Sequence, residues 1–110
     1  MSAPISAQGK LSLTQEDIFL CPQGQRAFIT SITFSNPSEP YSLSLSRAIL
    51  KPDPVIPKPI VVDIYTKYLN AGDTVFDKNG YALLGGNSIR ASSNKENTTY
   101  VIDGYTEANT

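Results

Sequence analysis

The chain has 110 residues, which is enough for one domain and too few for two. Its 9 basic and 10 acidic residues give a formal net charge of −1 and form no basic run, so we expect no phosphate-neutralising patch for nucleic acid. The absence of histidine excludes imidazole both as a general base and as a metal ligand.

The first residues are small and polar and include Pro4. We predict that residues 1–9 form an extended N-terminal arm, with Pro4 and Ile5 as candidate contacts to a partner; a frayed terminus is the alternative. The segment has neither a charged start nor a long apolar stretch, so we expect no signal peptide and no membrane span. Residues 10–107 are predicted to form the folded domain, and residues 108–110 a polar tail.

The only cysteine of the chain is Cys21. A single cysteine cannot form a disulfide within the chain, which fits a reducing compartment. Because Cys21 lies between Leu20 and Pro22 in an apolar stretch, we interpret it as a small buried hydrophobe rather than a reactive thiol.

Two segments in the first half alternate with the period of a strand. Residues 26–36 are rich in β-branched and aromatic side chains, and the alternation predicts one face formed by Phe28, Thr30, Ile32 and Phe34. Residues 41–46 alternate without interruption, which predicts a core face formed by Tyr41, Leu43 and Leu45.

Residues 51–59 contain four prolines, which exclude a helix and a central strand. The segment is predicted to be a polyproline II or extended loop. One interpretation is a stiff surface connection whose Val55 and Ile56 turn inward. The other is a projecting loop that docks on a neighbouring subunit at low entropic cost, with candidate contacts at Pro52, Pro54, Val55, Ile56 and Pro57.

The second half contains a strand over residues 60–69 and several turn signals. Asn79-Gly80 predicts a type I′ hairpin over residues 77–80. Residues 69–75 and 83–89 share the pattern Leu, any, small, Gly, Asp or Asn, hydroxyl, β-branched. We interpret this echo as two equivalent corners at which the chain passes from one sheet to the other.

No stretch has a convincing helical period, and about seven to nine short strands are separated by regularly spaced turns. The predicted fold class is therefore all-β, a single antiparallel β-sandwich of the jelly-roll type.

The candidate chemistry is sparse. The carboxylates lie at predicted strand ends or on wet faces, so we expect no catalytic pair, no cofactor and no metal, and the chain is interpreted as non-enzymatic. A calcium site at Asp73 and Asp77 matches no known loop signature. A sugar-binding face remains an alternative; its candidate residues are Tyr65, Tyr68, Tyr81, Tyr100 and Tyr105.

The order of motifs resembles that of the small β-sandwich virion accessory proteins of tailed bacteriophages. The resemblance rests on two segments, "IFLCPQGQRAFITSITFSNPSEPYSLSLS" and "YLNAGDTVFDKNGYALLGGNSIRASSNKENTTYVIDGYTE". The first contains a Pro-x-Gly-x-Arg turn and a long hydroxyl-rich strand ending in Asn. The second is similar to the closing pattern of that group, in which two Gly-Asp-like corners flank a short hairpin and a last strand ends in Gly-aromatic or Gly-x-Glu. The matching residues are Pro22, Gly24, Arg26, Asn36, Gly72, Asp73, Gly86, Asn87, Gly104 and Glu107.

The resemblance implies a structural protein of the virion, assembled in the host cytoplasm. The favoured role is a capsid decoration (cement) protein that stabilises neighbouring subunits by contact with the major capsid protein or other virion proteins. The alternatives are a small neck, tail or fibre-attachment protein, or a glycan-binding adhesive module. A homo-oligomer stays open, whereas nucleic acid and membrane are not expected as partners.

Overall fold

The computed structural model describes residues 2–51 and 58–108. Within these ranges the chain forms nine strands and no helix, and therefore no helix that could cross a membrane. The strands are β1 Ser2–Lys10, β2 Glu16–Leu20, β3 Gln25–Ser35, β4 Tyr41–Lys51, β5 Lys58–Leu69, β6 Thr74–Asp77, β7 Tyr81–Leu84, β8 Ser88–Ser93 and β9 Thr99–Ala108.

The strands form two antiparallel sheets that pack face to face. The five-stranded sheet has the order β1-β9-β3, with β6 and β7 both pairing the free side of β3, and the four-stranded sheet has the order β2-β8-β4-β5. Successive strands alternate between the sheets except for β4–β5 and β6–β7. This is the order of an eight-stranded jelly roll whose sixth strand is split in two, β6 and β7, so the predicted all-β sandwich is confirmed.

The core lies between the sheets and is built from the period-two stripes. Tyr41, Leu43 and Leu45 of β4 are all buried, as their alternation with serine predicts. They face a second buried row in β3 and β9, which consists of Ala27, Ile29, Ile32, Phe34 and Ile102.

A β-bulge changes the predicted faces of β3. The pairing with β9 shifts between Ile29 and Ser31, which leaves Thr30 as the extra residue. Ile32 and Phe34 face the core as predicted, but Phe28 lies on the opposite, outer face, where it pairs with Tyr105. The expected face of four residues was therefore wrong, because an unbroken alternation cannot anticipate an inserted residue.

The predicted hairpin at residues 77–80 is not formed. β6 and β7 each pair with β3 and not with each other, so they are two collinear halves of one interrupted edge strand. Gly80 has a φ of 79°, but Asn79 is not in the positive-φ region that a type I′ turn requires at both central residues.

The two glycine corners are confirmed. Gly72 lies between β5 and β6 and Gly86 lies between β7 and β8, so both mark a passage between the sheets. Their φ angles are 82° and 88°, in the region that only glycine adopts readily. Asp73 accepts a hydrogen bond from the backbone N–H of Asn70, which closes its own turn.

The N-terminal segment forms a strand of the sandwich instead of a separate arm. Strand β1 pairs with β9 over its whole length, from Ser2 opposite Glu107 to Lys10 opposite Thr99. Ile5 is 9% exposed and belongs to the core. Pro4 lies on the outer face of this edge strand, a position in which the missing N–H is tolerated.

Candidate interaction surfaces

The β4–β5 hairpin extends beyond the sheet to which it belongs. Strand β8 pairs with β4 only as far as Ala48, whereas β4 and β5 remain paired to Lys51 and Lys58. Three residue pairs therefore have no third strand beside them. At about 3.4 Å per residue they project roughly 10 Å. We call this part, residues 49–51 and 58–60, the hairpin extension.

Aliphatic side chains are exposed on and next to the hairpin extension. They are between 36% and 46% exposed, and we call them the aliphatic patch: Ile49, Ile60, Val61 and Val62. By register, Ile49 and Ile60 form a cross-strand pair on the face that also carries Val62, and Val61 points to the reverse face. The hairpin thus presents apolar surface on both sides.

The Pro-rich segment adjoins this hairpin. Lys51 belongs to β4, and Lys58 and Pro59 belong to β5. The candidate contacts Pro52, Pro54, Val55, Ile56 and Pro57 lie outside the described residues, so their role stays a prediction. What the structure adds is that the chain enters and leaves this segment at the tip of the hairpin extension.

A second apolar surface crosses the outer face of the five-stranded sheet. Pro4, Tyr105, Phe28 and Ala82 stand opposite one another on four neighbouring strands and form one row, which we call the aromatic row. The rings of Phe28 and Tyr105 are stacked, with centroids 5.0 Å apart and planes inclined by 28°. Of the two N-terminal candidates, the aromatic row includes the exposed Pro4 and leaves out the buried Ile5.

Charged groups border the aromatic row. The Arg26 guanidinium lies 2.6 Å from the Glu107 carboxylate and 5.9 Å from the centroid of the Phe28 ring. Beside the row is an open hollow of about 440 Å³ lined by Phe28, Ile29, Thr30, Gly80, Tyr81, Ala82 and Tyr105. The lining offers few polar groups, which favours contact with an apolar protein surface.

Among the residues that the structure describes, the most buried carboxylate is that of Asp77, which is 4% exposed. Its Oδ2 accepts hydrogen bonds from the hydroxyls of Tyr65 at 2.7 Å and Tyr81 at 2.6 Å, and its Oδ1 accepts one from the backbone N–H of Asn79. Tyr65 belongs to the four-stranded sheet and the other two side chains to the five-stranded sheet. The carboxylate therefore ties the sheets together at the interrupted strand.

The pKa values agree with this structural role. Burial raises the pKa of Asp77, but the hydrogen bonds from Tyr81, Asn79 and Tyr65 and the nearby Lys67 charge outweigh it, and the net shift is downward. Burial and the Asp77 carboxylate raise the pKa of Tyr81 to about 12 and raise that of Tyr65 further. Asp77 is thus an ionised acceptor near neutral pH, with neutral donors around it.

The five tyrosines proposed for a sugar-binding face do not lie on one surface. Tyr65 and Tyr81 use their hydroxyls at Asp77, and Tyr100 packs against the core beside Gly9. Tyr105 belongs to the aromatic row, and Tyr68 is exposed on the opposite sheet. Tyr81 and Tyr105 line the same hollow, so any sugar contact would involve at most such a pair of rings and not the set of five.

Cys21 is 1% exposed, and its Sγ–H is directed at the carbonyl oxygens of Pro22, Gln25 and Leu83. Burial raises the pKa of the thiol, which keeps it protonated and weakly nucleophilic.

The carboxylates and the cysteine do not gather at one place. Over residues 2–51 and 58–108, no three of their side chains lie together as metal ligands would.

Several residues on which the resemblance to phage proteins rests have a structural role, either in the backbone conformation or in buried hydrogen bonds. Gly24 has a φ of 80°. A Cβ on Gly104 would lie 2.1 Å from the Phe28 carbonyl oxygen, because β9 approaches β3 closely at the bulge. Asn36 is fully buried, and its Nδ2 donates to the Glu96 carbonyl and to Thr98 Oγ1.

The aliphatic patch and the aromatic row were not predicted. A signal for the first is the run Ile60-Val61-Val62, which breaks the alternation beside the prolines. The second depends on the bulge at Thr30, which has no signal in the sequence that we can identify.

Comparison with known proteins identifies the fold and no family. No protein-family model matches the chain, and a comparison with curated proteins finds no relative. Among solved structures, the chain superposes on a subunit from "Bacillus endospore appendages form a novel family of disulfide-linked pili", with a TM-score of 0.52, 8% identity, and coverage of 98% of this chain and 87% of that one. It also superposes on a chain of infectious bursal disease virus, Gx strain, with a TM-score of 0.55, 8% identity and coverage of 96%.

The present chain spans about a third (32%) of the length of the bursal disease virus chain. At such low identity these matches show a shared β-sandwich fold. This fold and the two apolar surfaces are those of a structural or binding module.

Proposed function

We propose that the chain is a non-enzymatic structural protein of a bacteriophage virion, a capsid decoration protein that holds neighbouring subunits together. The observation that carries the proposal is the hairpin extension with its aliphatic patch. The resemblance of the sequence to phage accessory proteins is the reason for proposing a phage virion as the particle. A neck, tail or fibre-attachment position would use the same surface.

The shape of the hairpin favours insertion between subunits. Ile60 and Val61 are adjacent and point to opposite faces, so a flat contact on one side would leave the other side in water. A hairpin gripped from both sides buries both, and burial of apolar area is worth about 25 cal/mol per Å². A specific interface is expected to bury roughly 1,000 Å² or more, and the aromatic row offers a second surface that would contribute to it.

The edge strands of the two sheets also favour the hairpin extension as the contact surface. Strand β2 has 5 residues and a bulge, β6 and β7 have 4 residues each, and β1 carries Pro4. These are devices that protect an edge from pairing with another chain. Strand β5 is the long edge, with 12 residues, and its apolar run lies at the hairpin extension.

The absence of an enzymatic role is supported by the way in which the candidate groups are used. The buried carboxylate of Asp77 accepts three hydrogen bonds from its own chain, and the Cys21 thiol is protonated and covered. Neither group is left free to act on a substrate.

The experiment is an incorporation assay with two matched variants. Val62→Asp places a charge in the aliphatic patch, and Val101→Asp places the same charge at a similarly exposed position, 37%, on the outer face of the other sheet. Both proteins are first shown to unfold at similar temperatures and are then supplied to particles that lack the chain. We expect Val62→Asp to reduce incorporation at least tenfold and Val101→Asp to incorporate normally. Equal incorporation of the two variants would refute the role of the hairpin.

A further inference from the structure

Tyr68 is the most exposed of the large hydrophobic side chains that the structure describes, with 85% of its surface accessible. It stands on the outer face of the four-stranded sheet, directly opposite Ser42 of β4. Tyr65, three residues earlier, is half-buried against the core and donates its hydroxyl to Asp77. Tyr68 therefore contributes little to the fold, although exposing an aromatic ring is costly in water.

The ring borders an open hollow of about 320 Å³, which is within the range of small-ligand sites. Seven residues line it, and they come from the start of β4, the end of β5 and the loop after β8: Pro40, Tyr41, Ser42, Tyr68, Leu69, Asn94 and Lys95. Besides Tyr68 and the buried Tyr41, whose hydroxyl donates to the Asp73 carbonyl, the lining has three residues with hydrogen-bonding side chains: Ser42, Asn94 and Lys95.

The amide of Asn94 has a fixed orientation. Its Oδ1 accepts a hydrogen bond of 2.7 Å from the backbone N–H of Ser42, and its own backbone N–H donates to the Ser42 carbonyl. Because the oxygen is held against β4, the two N–H donors of the amide point away from it. Within the described part of the chain we find no acceptor for these donors.

The face around Tyr68 is hydroxylated. Ser44 and Thr66 lie next to Ser42 and Tyr68 along their strands, and their hydroxyls are 3.2 Å apart. Ser92 of β8 stands opposite Ser44 on the other side. The neighbours of the Tyr68 ring on this face are therefore hydroxyl groups. The aliphatic patch, by contrast, lies at the other end of the β4–β5 pair, and the aromatic row lies on the other sheet.

We propose that this hollow binds a carboxylated pyranose, such as a uronic acid unit of a polysaccharide. The C–H groups of a pyranose ring carry a slight positive charge, and they stack on the negative face of an aromatic ring. The sugar hydroxyls and ring oxygen accept from Asn94 Nδ2 and exchange hydrogen bonds with Ser42.

The charge of the lining favours the carboxylate. Lys95 is the one charged residue of the lining, so an anionic substituent finds an ammonium donor and no carboxylate among the seven residues. An apolar peptide is a poorer occupant, because it would bury the Asn94 N–H groups without an acceptor.

The test is titration of the isolated 110-residue chain with a uronic acid oligosaccharide and with its neutral hexose counterpart, monitored by two-dimensional NMR. We expect the backbone amide signals of Ser42, Tyr68 and Asn94 to shift in a saturable way with the acidic oligosaccharide, and the neutral one to bind at least tenfold more weakly. Tyr68→Ala should weaken binding at least tenfold and Lys95→Gln several-fold.

The matched control is Phe76→Ala. It removes an aromatic ring that is 67% exposed on the other sheet, and it should bind like the wild type. Absence of saturable binding, or unchanged affinity in Tyr68→Ala, would overturn the site. Equal affinity for the neutral oligosaccharide would overturn the assignment of the carboxylate. None of these outcomes bears on incorporation into particles.

Discussion

The hydroxyl of Tyr65 donates a 2.7 Å hydrogen bond to the Asp77 carboxylate, and this bond joins the edge strand of one sheet to the interrupted strand of the other. A buried carboxylate is stable only when its oxygens are satisfied, and here Tyr81 and Asn79 supply the remaining donors. The split between β6 and β7 is thus held by a polar contact across the sandwich.

Tyr65→Phe is expected to destabilise the fold. The substitution removes one hydrogen bond to a charged group, which costs about 1.5–3 kcal/mol. Tyr68→Phe is the matched control because the Tyr68 ring is exposed, and it should change the unfolding free energy by less than about 0.5 kcal/mol. Urea unfolding of both variants measures the difference. A similar, small effect of the two substitutions would show that the Asp77 contact does not hold the sheets together.

Acid should weaken the fold through Asp77. Its pKa in the folded chain is below the ordinary value of 3.8, so the unfolded chain binds the proton more tightly. The stabilisation is complete above about pH 4 and is lost as the pH falls through the lower, folded pKa.

The measurement for Asp77 is the unfolding free energy of the wild type and of Asp77→Asn between pH 7 and pH 2. We expect Asp77→Asn to be less stable at pH 7 and the gap to narrow below about pH 4. A gap that stays constant down to pH 2 would contradict the downward shift of the pKa.

Gly104→Ala should be among the most damaging small substitutions. The new Cβ would lie 2.1 Å from the Phe28 carbonyl oxygen, which belongs to rigid backbone. Because β3 or β9 would have to move, we expect a loss of about 3 kcal/mol or more. Gly24→Ala is the comparison: it meets no atom and carries only the strain of a φ of 80°, about 1–2 kcal/mol. Thermal unfolding measures the stability of both variants. A smaller loss of stability in Gly104→Ala than in Gly24→Ala would contradict the close approach of β9 to β3 at the bulge.

Cys21 should not react with a thiol reagent while the chain is folded. The side chain is buried between Pro22, Gln25 and Leu83, and burial raises the pKa of the thiol. We expect labelling by an aromatic disulfide reagent to follow the unfolding rate and not the reagent concentration. Rapid labelling of the native chain at pH 8 would contradict the buried position of the thiol.

The core and the corners of the fold could be predicted from the sequence because local patterns determine them. Tyr41, Leu43 and Leu45 alternate with serine, and Gly72 and Gly86 occupy turns that need a positive φ. These features depend on neighbours within a few residues, so the sequence carries them directly.

The surfaces could not be predicted because they depend on strand register. Phe28 faces outward because Thr30 is inserted opposite β9, and Asp77 is buried because Tyr65 of the other sheet reaches it. The exposure of Ile60 follows from where β8 stops pairing with β4. Each is a long-range relationship that alternation along one strand does not encode.

Quantitative mass spectrometry of particles purified through density gradients tests whether the chain is a component of a phage particle. We expect the chain to copurify with infectious particles in many copies per particle. Its absence from purified particles, with the protein remaining in the cleared lysate, would refute a structural role in the virion.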